Sequence, residues 1–206
     1  MMQVKKENIR ERILEAAREE FQKKNYQKAS MRQIAKKAEV TTSNIYNYFE
    51  NKDDIFTTIL QPLIDKIEIG KRKLAEFEFN RKEAHSENLE DHLILVEESA
   101  KFVNQNREGL KLLIFNAEGS SLENYTDELI SWFTENFKKS INGKHHQKID
   151  SFFYRITTSI WINTIREALL KDIKGKRLIQ NAKDLMTFIF HGWKGLVEEK
   201  DINIDF

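Results

Sequence analysis

The chain has no cysteine, one proline and seven glycines in 206 residues. Without cysteine there is no disulfide, no thiolate metal site and no cysteine nucleophile, and a reducing compartment fits. With helix breakers this scarce, helices are expected almost throughout. No run approaches the roughly eighteen apolar residues at which a membrane-spanning helix is suspected. The opening stretch, MMQVKKENIRERI, is charged and has no apolar signal segment, so a cytoplasmic protein without membrane contact is expected. Charge of neither sign dominates: 34 Lys and Arg against 33 Asp and Glu leave a net +1. Zinc-protease, phosphate-loop and dinucleotide signatures are all missing. His145 and His146 are neighbours in a polar stretch with no third ligand at suitable spacing. The expectation is a protein with no catalytic residues, no metal and no cofactor, and not an enzyme.

What is present is concentrated in residues 30–55, SMRQIAKKAEVTTSNIYNYFENKDDI. Ser30 with Gln33 three residues on fits a capping box opening a short helix. Met31, Ile34, Ala35 and Ala38 make its apolar face, with Arg32, Gln33, Lys36 and Lys37 away from it. A break follows at Glu39-Val40. Thr41 caps a second short helix, with Val40 and Ile45 placed to staple it. Ile45 and Phe49 face inward, leaving Thr42, Ser43, Asn44, Asn47 and Tyr48 outside. Asn51 opens a third helix, with Asp53 and Asp54 in the first turn where the helix dipole favours acids.

Two capped helices around a tight turn, the second with a polar face, have the layout of a helix-turn-helix DNA reader. Hydroxyls and amides near a helix N-terminus bond base edges in the major groove, and Asn suits adenine. Tyr and Lys bond phosphates and fix the register. Lys52 and the free N–H groups of the third helix would act on one phosphate. Residues 23–52 hold seven basic residues (Lys23, Lys24, Lys28, Arg32, Lys36, Lys37, Lys52) and two acids (Glu39, Glu50), so the positive field is local.

At these residues the chain resembles the TetR family of bacterial transcriptional regulators. The matching pieces are Phe21 with Tyr26, Ser30 to Ala35, Val40-Thr41, Ile45 to Phe49 and Asn51 to Ile55. The resemblance implies an all-α fold of about nine helices. A three-helix DNA-binding domain over residues 1–52 would precede a helical ligand-binding and dimerisation domain over 53–206. It implies that Arg32 reaches a base, that Thr42, Ser43 and Asn44 form the reading edge, and that Tyr46, Tyr48 and Lys52 grip the backbone. It implies a homodimer on a palindromic double-stranded operator, more often a repressor than an activator, released by a small-molecule effector that is not identified. Two positions depart from the pattern: Glu39 stands where the turn usually has glycine, and Met31 where a hydroxyl often meets phosphate. Glu39 keeps open a second reading, a TetR-like module that binds a protein partner with DNA binding weakened or lost.

The remaining helices are expected at about 5–24, from Lys52 to about 75 with a kink or break at Pro62, at 88–106, 107–117, 122–141, 150–172 and 176–199. Residues 76–88 lack clear periodicity and read as a loop or frayed helix end; Asn142-Gly143 ends a helix, and 144–148 read as a polar loop. Phe102, Phe115, Trp132, Phe133, Phe137 and Trp161 offer an apolar lining for an effector. The last two helices are apolar over more than one stripe, which suggests a second contact. By resemblance Phe153, Ile160, Ile189, Phe190 and Trp193 would pair with a copy of themselves, with Gly192 and Gly195 allowing close approach.

Overall fold

The computed structural model describes residues 2–84, 88–140 and 149–202. Among the described residues it holds nine helices and no strand: α1 (Met2–Lys28), α2 (Met31–Lys37), α3 (Thr42–Ile45), α4 (Lys52–Ala84), α5 (Leu89–Gln105), α6 (Arg107–Phe115), α7 (Tyr125–Ser140), α8 (Ser151–Leu170) and α9 (Gly175–Ile202). None of these helices is long and apolar enough to cross a membrane. The expected helix end at 142–143 and polar loop at 144–148, with His145 and His146, lie outside the described residues, as do residues 85–87 of the stretch 76–88.

The chain forms two compact units, Met1–Glu68 with Glu108–Thr126, and Ile69–Arg107 with Asp127–Phe206. The first is larger than the expected 1–52 domain, and the reason is packing. Ile55, Phe56 and Leu60 on the first half of α4 are fully buried, as are Ile13, Ala17, Phe21, Ile34 and Ile45. Phe56 meets Phe21 edge-on at 5.0 Å and Tyr26 at 5.1 Å. Leu110, Leu112 and Leu113 of α6 are buried in the same unit. Gly109 lets α6 close on α4, since a Cβ there would stand 3.1 Å from a Leu63 methyl.

Caps set the ends. Thr41 Oγ1 accepts from Asn44 N at 3.1 Å, Asn51 Oδ1 from Asp54 N at 2.9 Å, Asn88 Oδ1 from Glu90 N at 3.0 Å and Asp150 Oδ1 from Phe152 N at 2.7 Å. Each satisfies an N–H left free at a helix start. Ser30 is extended at the N-cap of α2 but makes no side-chain cap bond, so the expected capping box does not form. α4 continues through the exposed Pro62 and on to Ala84, so 76–84 is helix rather than loop. That stretch is rich in Glu, Lys, Arg and Ala, which extend an existing helix without an apolar face.

In the second unit α5 packs along α9, and Glu97 is paired with Lys101 and Lys183. Hydrogen bonds from Lys101 first, then Lys183, pull the half-buried Glu97 carboxyl down to about 2. A depressed carboxyl contributes stability that is present above its ordinary range and is lost as pH falls through about 2.

Candidate nucleic-acid interface

α1 ends early. At Asn25 the backbone turns to φ 62, ψ 172, a region almost reserved for glycine. The Asn25 side chain supports the new turn by accepting from Lys28 N at 3.0 Å. Asn116, beyond α6, holds both sides of the corner: its Nδ2 donates to Phe21 O at 2.7 Å, and its carbonyl accepts from Tyr26 N at 2.8 Å. The Tyr26 phenol is raised above its ordinary pKa by burial and then by Asp53.

The turn between α2 and α3 closes without glycine. Glu39 sits at φ 52, Val40 N donates to Ala35 O at 3.0 Å and Glu39 N to Lys36 O at 3.3 Å. This is the Schellman arrangement, with the left-handed residue in its usual place. Arg12 from α1 holds it, donating to Ala38 O and to Glu39 Oε2, the latter at 3.0 Å. The ion pair and the carbonyl bond offset the left-handed backbone, which costs about 1–2 kcal/mol for a side chain. Glu39→Gly removes that cost and an exposed pair worth about 0–1 kcal/mol. Its expected effect in urea unfolding is under about 1 kcal/mol, whereas Arg12→Ala should lose about 1–2 kcal/mol. A larger loss in Glu39→Gly than in Arg12→Ala would mean that the carboxylate, not the carbonyl bond, holds the turn.

α3 is a single turn, so its whole length is the polar edge. Ser43 and Asn47 are exposed and Thr42, Asn44 and Tyr48 half-buried. Asn47 Nδ2 donates to Asn44 Oδ1 at 3.2 Å, which engages the Asn44 amide through its oxygen. Tyr46 is 54% exposed, too open for a core residue. A groove of about 610 Å³, lined by Ile9, Arg12, Glu39, Thr41, Ser43 and Asn44 among others, runs beside this edge.

The seven basic residues of 23–52 are not equivalent. Lys23, Lys24, Lys28, Arg32 and Lys36 are exposed. Lys37 is paired with the buried Glu20 at 3.3 Å and with Glu19 at 3.5 Å. Lys52 is turned inward: its Nζ donates to Tyr26 O at 2.8 Å, Ala29 O at 3.3 Å and Gln27 O at 3.4 Å. It also lies 4.3 Å from the centre of the Tyr26 ring, and burial lowers its pKa. The phosphate role expected of Lys52 therefore conflicts with where its charge is held.

The other expected residues fall as follows. Phe115 is in the first unit and Phe102, Trp132, Phe133, Phe137 and Trp161 are in the second, all half-buried. Trp132 and Phe133 meet edge-on at 5.1 Å, with the Lys71 ammonium 5.0 Å from the Trp132 ring centre. Phe137 joins Tyr154 and Trp193. Of the residues expected to face a second copy, Phe153 is exposed and Ile160 half-buried. Ile189 packs on the chain's own cluster of Ile149, Tyr154 and Trp193. Phe190 lies 5.4 Å from His92. Trp193 is only 8% exposed, so its ring is spent within its own unit. Among the described residues of α8 and α9, the large apolar side chains left outward are Phe152 at 70%, Phe153 at 41%, Ile156 at 44%, Leu170 at 65% and Phe188 at 76%. Nothing lies within 4 Å of a Cβ built at Gly192 or Gly195, so neither makes a close approach within the chain.

A capped one-turn helix showing amides and hydroxyls, a closed turn and exposed cations together define a helix-turn-helix domain at the head of an all-helical chain. Residues 13–59 match the model of the bacterial regulatory proteins, tetR family. The HTH-type transcriptional regulator HbdR of Aromatoleum sp. (strain CIB) is 39% identical over 62 residues, 30% of this chain and 27% of that one; the chain thus spans about a quarter of that relative. The uncharacterized HTH-type transcriptional regulator YdgC of Bacillus subtilis (strain 168) is 26% identical over 144 residues, 68% of this chain and 70% of that one. The crystal structure of native NalD from Pseudomonas aeruginosa, the secondary repressor of the MexAB-OprM multidrug efflux pump, superposes with a TM-score of 0.60. It shares 22% identity and covers 91% of this chain and 97% of that one, which shows the same fold.

Proposed function

We propose that the chain is a sequence-specific transcriptional repressor. It reads a palindromic operator as a homodimer, and a small molecule bound in its second unit releases it. The observation that carries the reading is the exposed polar edge of α3 above a closed, Arg12-held turn. The family match over residues 13–59 supports it. The exposed Phe152 and Ile156, one turn apart on α8, support a second copy as partner, because neighbouring apolar side chains on a surface mark association. A symmetric dimer meets symmetric half-sites. Release by a ligand requires different DNA affinities in the bound and free states.

The alternative, a protein-binding module with weakened DNA contact, drew its support from Glu39. That support weakens because the turn closes in the same hydrogen-bonded form a glycine would give. Footprinting on the DNA flanking the chain's own gene, at two salt concentrations with scrambled competitor, separates the readings. A protected, roughly palindromic stretch is expected. Failure to bind DNA even in low salt would favour the protein-binding module.

Within the reader, Asn44→Ala should cost roughly 1–3 kcal/mol on the correct site and relax preference at one base pair. The assay is a competition between correct and singly mismatched duplexes. Equal weakening on both would remove Asn44 from base readout.

A further inference from the structure

The second unit buries two hydrogen-bond donors that meet no acceptor among the described residues. Tyr154 is 1% exposed and Trp193 8%, and neither Tyr154 Oη nor Trp193 Nε1 has a partner among the described residues. The two belong to one cluster. Their rings stack at 5.0 Å and 29°. Phe137 meets both edge-on, at 5.8 and 4.9 Å, and Phe153 meets Trp193 at 5.2 Å. Ile149, Ile189 and Leu196 complete the wall. Apart from the Tyr154 phenol itself, none of these side chains carries an acceptor.

The neighbouring hydroxyls are already committed. Thr157 and Thr158 both donate to the Tyr154 backbone carbonyl, at 3.0 and 2.8 Å. Elsewhere this chain pairs its buried polar groups: Ser120 donates to Ala117 O at 2.6 Å and Thr134 to Ile130 O at 2.7 Å. Two orphans in one cluster depart from that habit, and an unmatched buried polar group calls for an explanation.

The kind of group required follows from the donors. Indole N–H only donates, and the phenol has its own hydrogen to place. A water taking both bonds would have two hydrogens of its own and, beyond the phenol already bonded to it, no acceptor among these side chains. An oxygen with lone pairs and no hydrogen fits without that debt, on a body that matches aromatic walls.

We propose that Tyr154 Oη and Trp193 Nε1 bind the oxygen of a flat, apolar molecule bearing a carbonyl or carboxylate, whose rings pack against Phe137 and Phe153. The proposal rests on the ligand-responsive reading and gives the effector a place. It uses only one of the six aromatic residues expected to line a pocket, Phe137. Phe153, exposed at 41%, is the outer ring.

The test is thermal unfolding of the full chain without DNA, titrated with 2-naphthoate, 2-acetonaphthone and naphthalene, for wild type and Tyr154→Phe. Wild type should show a saturable rise in Tm with at least one oxygen-bearing probe, bound about tenfold or more tightly than naphthalene, the value of one good hydrogen bond. The two oxygen-bearing arms distinguish a carboxylate from a ketone. Tyr154→Phe should erase most of that preference while leaving the unliganded Tm equal or higher, because it removes an orphan hydroxyl and keeps the ring. Three results overturn the site: no saturable shift with either oxygen-bearing probe, a preference that survives in Tyr154→Phe, or a clear fall in the unliganded Tm of that variant. Release of operator DNA is measured in parallel. Tyr154-dependent binding without release keeps the site and sinks the ligand-responsive reading. Release by other compounds, without this preference, does the reverse.

Discussion

Arg107→Ala is expected to destabilise the second unit by about 2–4 kcal/mol, the largest stability effect of any single polar substitution in the chain. The Arg107 side chain is only 12% exposed. Its Nη1 donates to Ile173 O at 2.9 Å, and its Nη2 to Ala168 O at 3.2 Å and to Asp172 Oδ1 at 3.0 Å. These acceptors are the end of α8. Asp172 is left-handed, at φ 50, and Ile173 N closes the turn on Ala168 O at 2.9 Å. A charged hydrogen bond contributes about 1.5–3 kcal/mol, and losing one partner leaves the others desolvated and unmatched. The guanidinium also faces the negative end of the helix dipole. Arg107→Lys keeps the charge but loses the fork that spans the acceptors, so it should recover less than half. Urea unfolding checks this through a shift in midpoint at constant slope. A loss below about 1 kcal/mol would mean that water replaces the guanidinium freely.

The same device appears in the first unit, where Arg12 bonds Ala38 O and a left-handed Glu39. In both places an acid stands where glycine is usual, and an arginine from another helix bridges it to the helix end. Neither pairing was legible in the sequence. Arg12 is 27 residues from Glu39 and Arg107 is 65 from Asp172. Thr41, Asn51, Asn88 and Asp150 cap N–H groups two or three residues away, and their pattern is written locally. Thr41, Asn51 and Asp150 were readable for that reason. Asn25 was not, because the corner it makes is held by Asn116, whose Nδ2 donates to Phe21 O across 95 positions. Periodicity found the buried face of α2 for the same local reason. It also placed Trp193 on an apolar stripe, but a stripe does not say whether it meets its own chain or a copy. The exposed reading edge is the best-marked part of the site, since polar side chains over a capped turn need no distant partner to be recognised.

Lys52→Met is expected to lower DNA affinity about tenfold or more on correct and scrambled sites alike, and to leave the dependence on salt unchanged. Methionine keeps most of the stem and removes the charge. A lysine on phosphate contributes close to one unit of slope in log affinity against log salt, so the slope separates the roles. The resemblance to the family implies the phosphate role. The geometry argues against it, because the ammonium already serves the carbonyls of Tyr26, Gln27 and Ala29 and the face of Tyr26. To reach a phosphate it would leave all of these, at a cost of about 1.5–3 kcal/mol for the strongest charged bond alone. Held inward, Lys52 fixes the start of α4 to the turn that follows α1. Asp53, the next residue, accepts from Ser121 N at 2.9 Å, and Asp54 accepts from Glu50 N at 2.9 Å just past α3. The reading helix is thus braced through α4, and losing Lys52 would loosen α3 without removing a DNA contact. Unfolding of the variant should show a loss of about 1–3 kcal/mol in the first unit. A slope reduced by about one unit with stability intact would return Lys52 to the phosphate contacts.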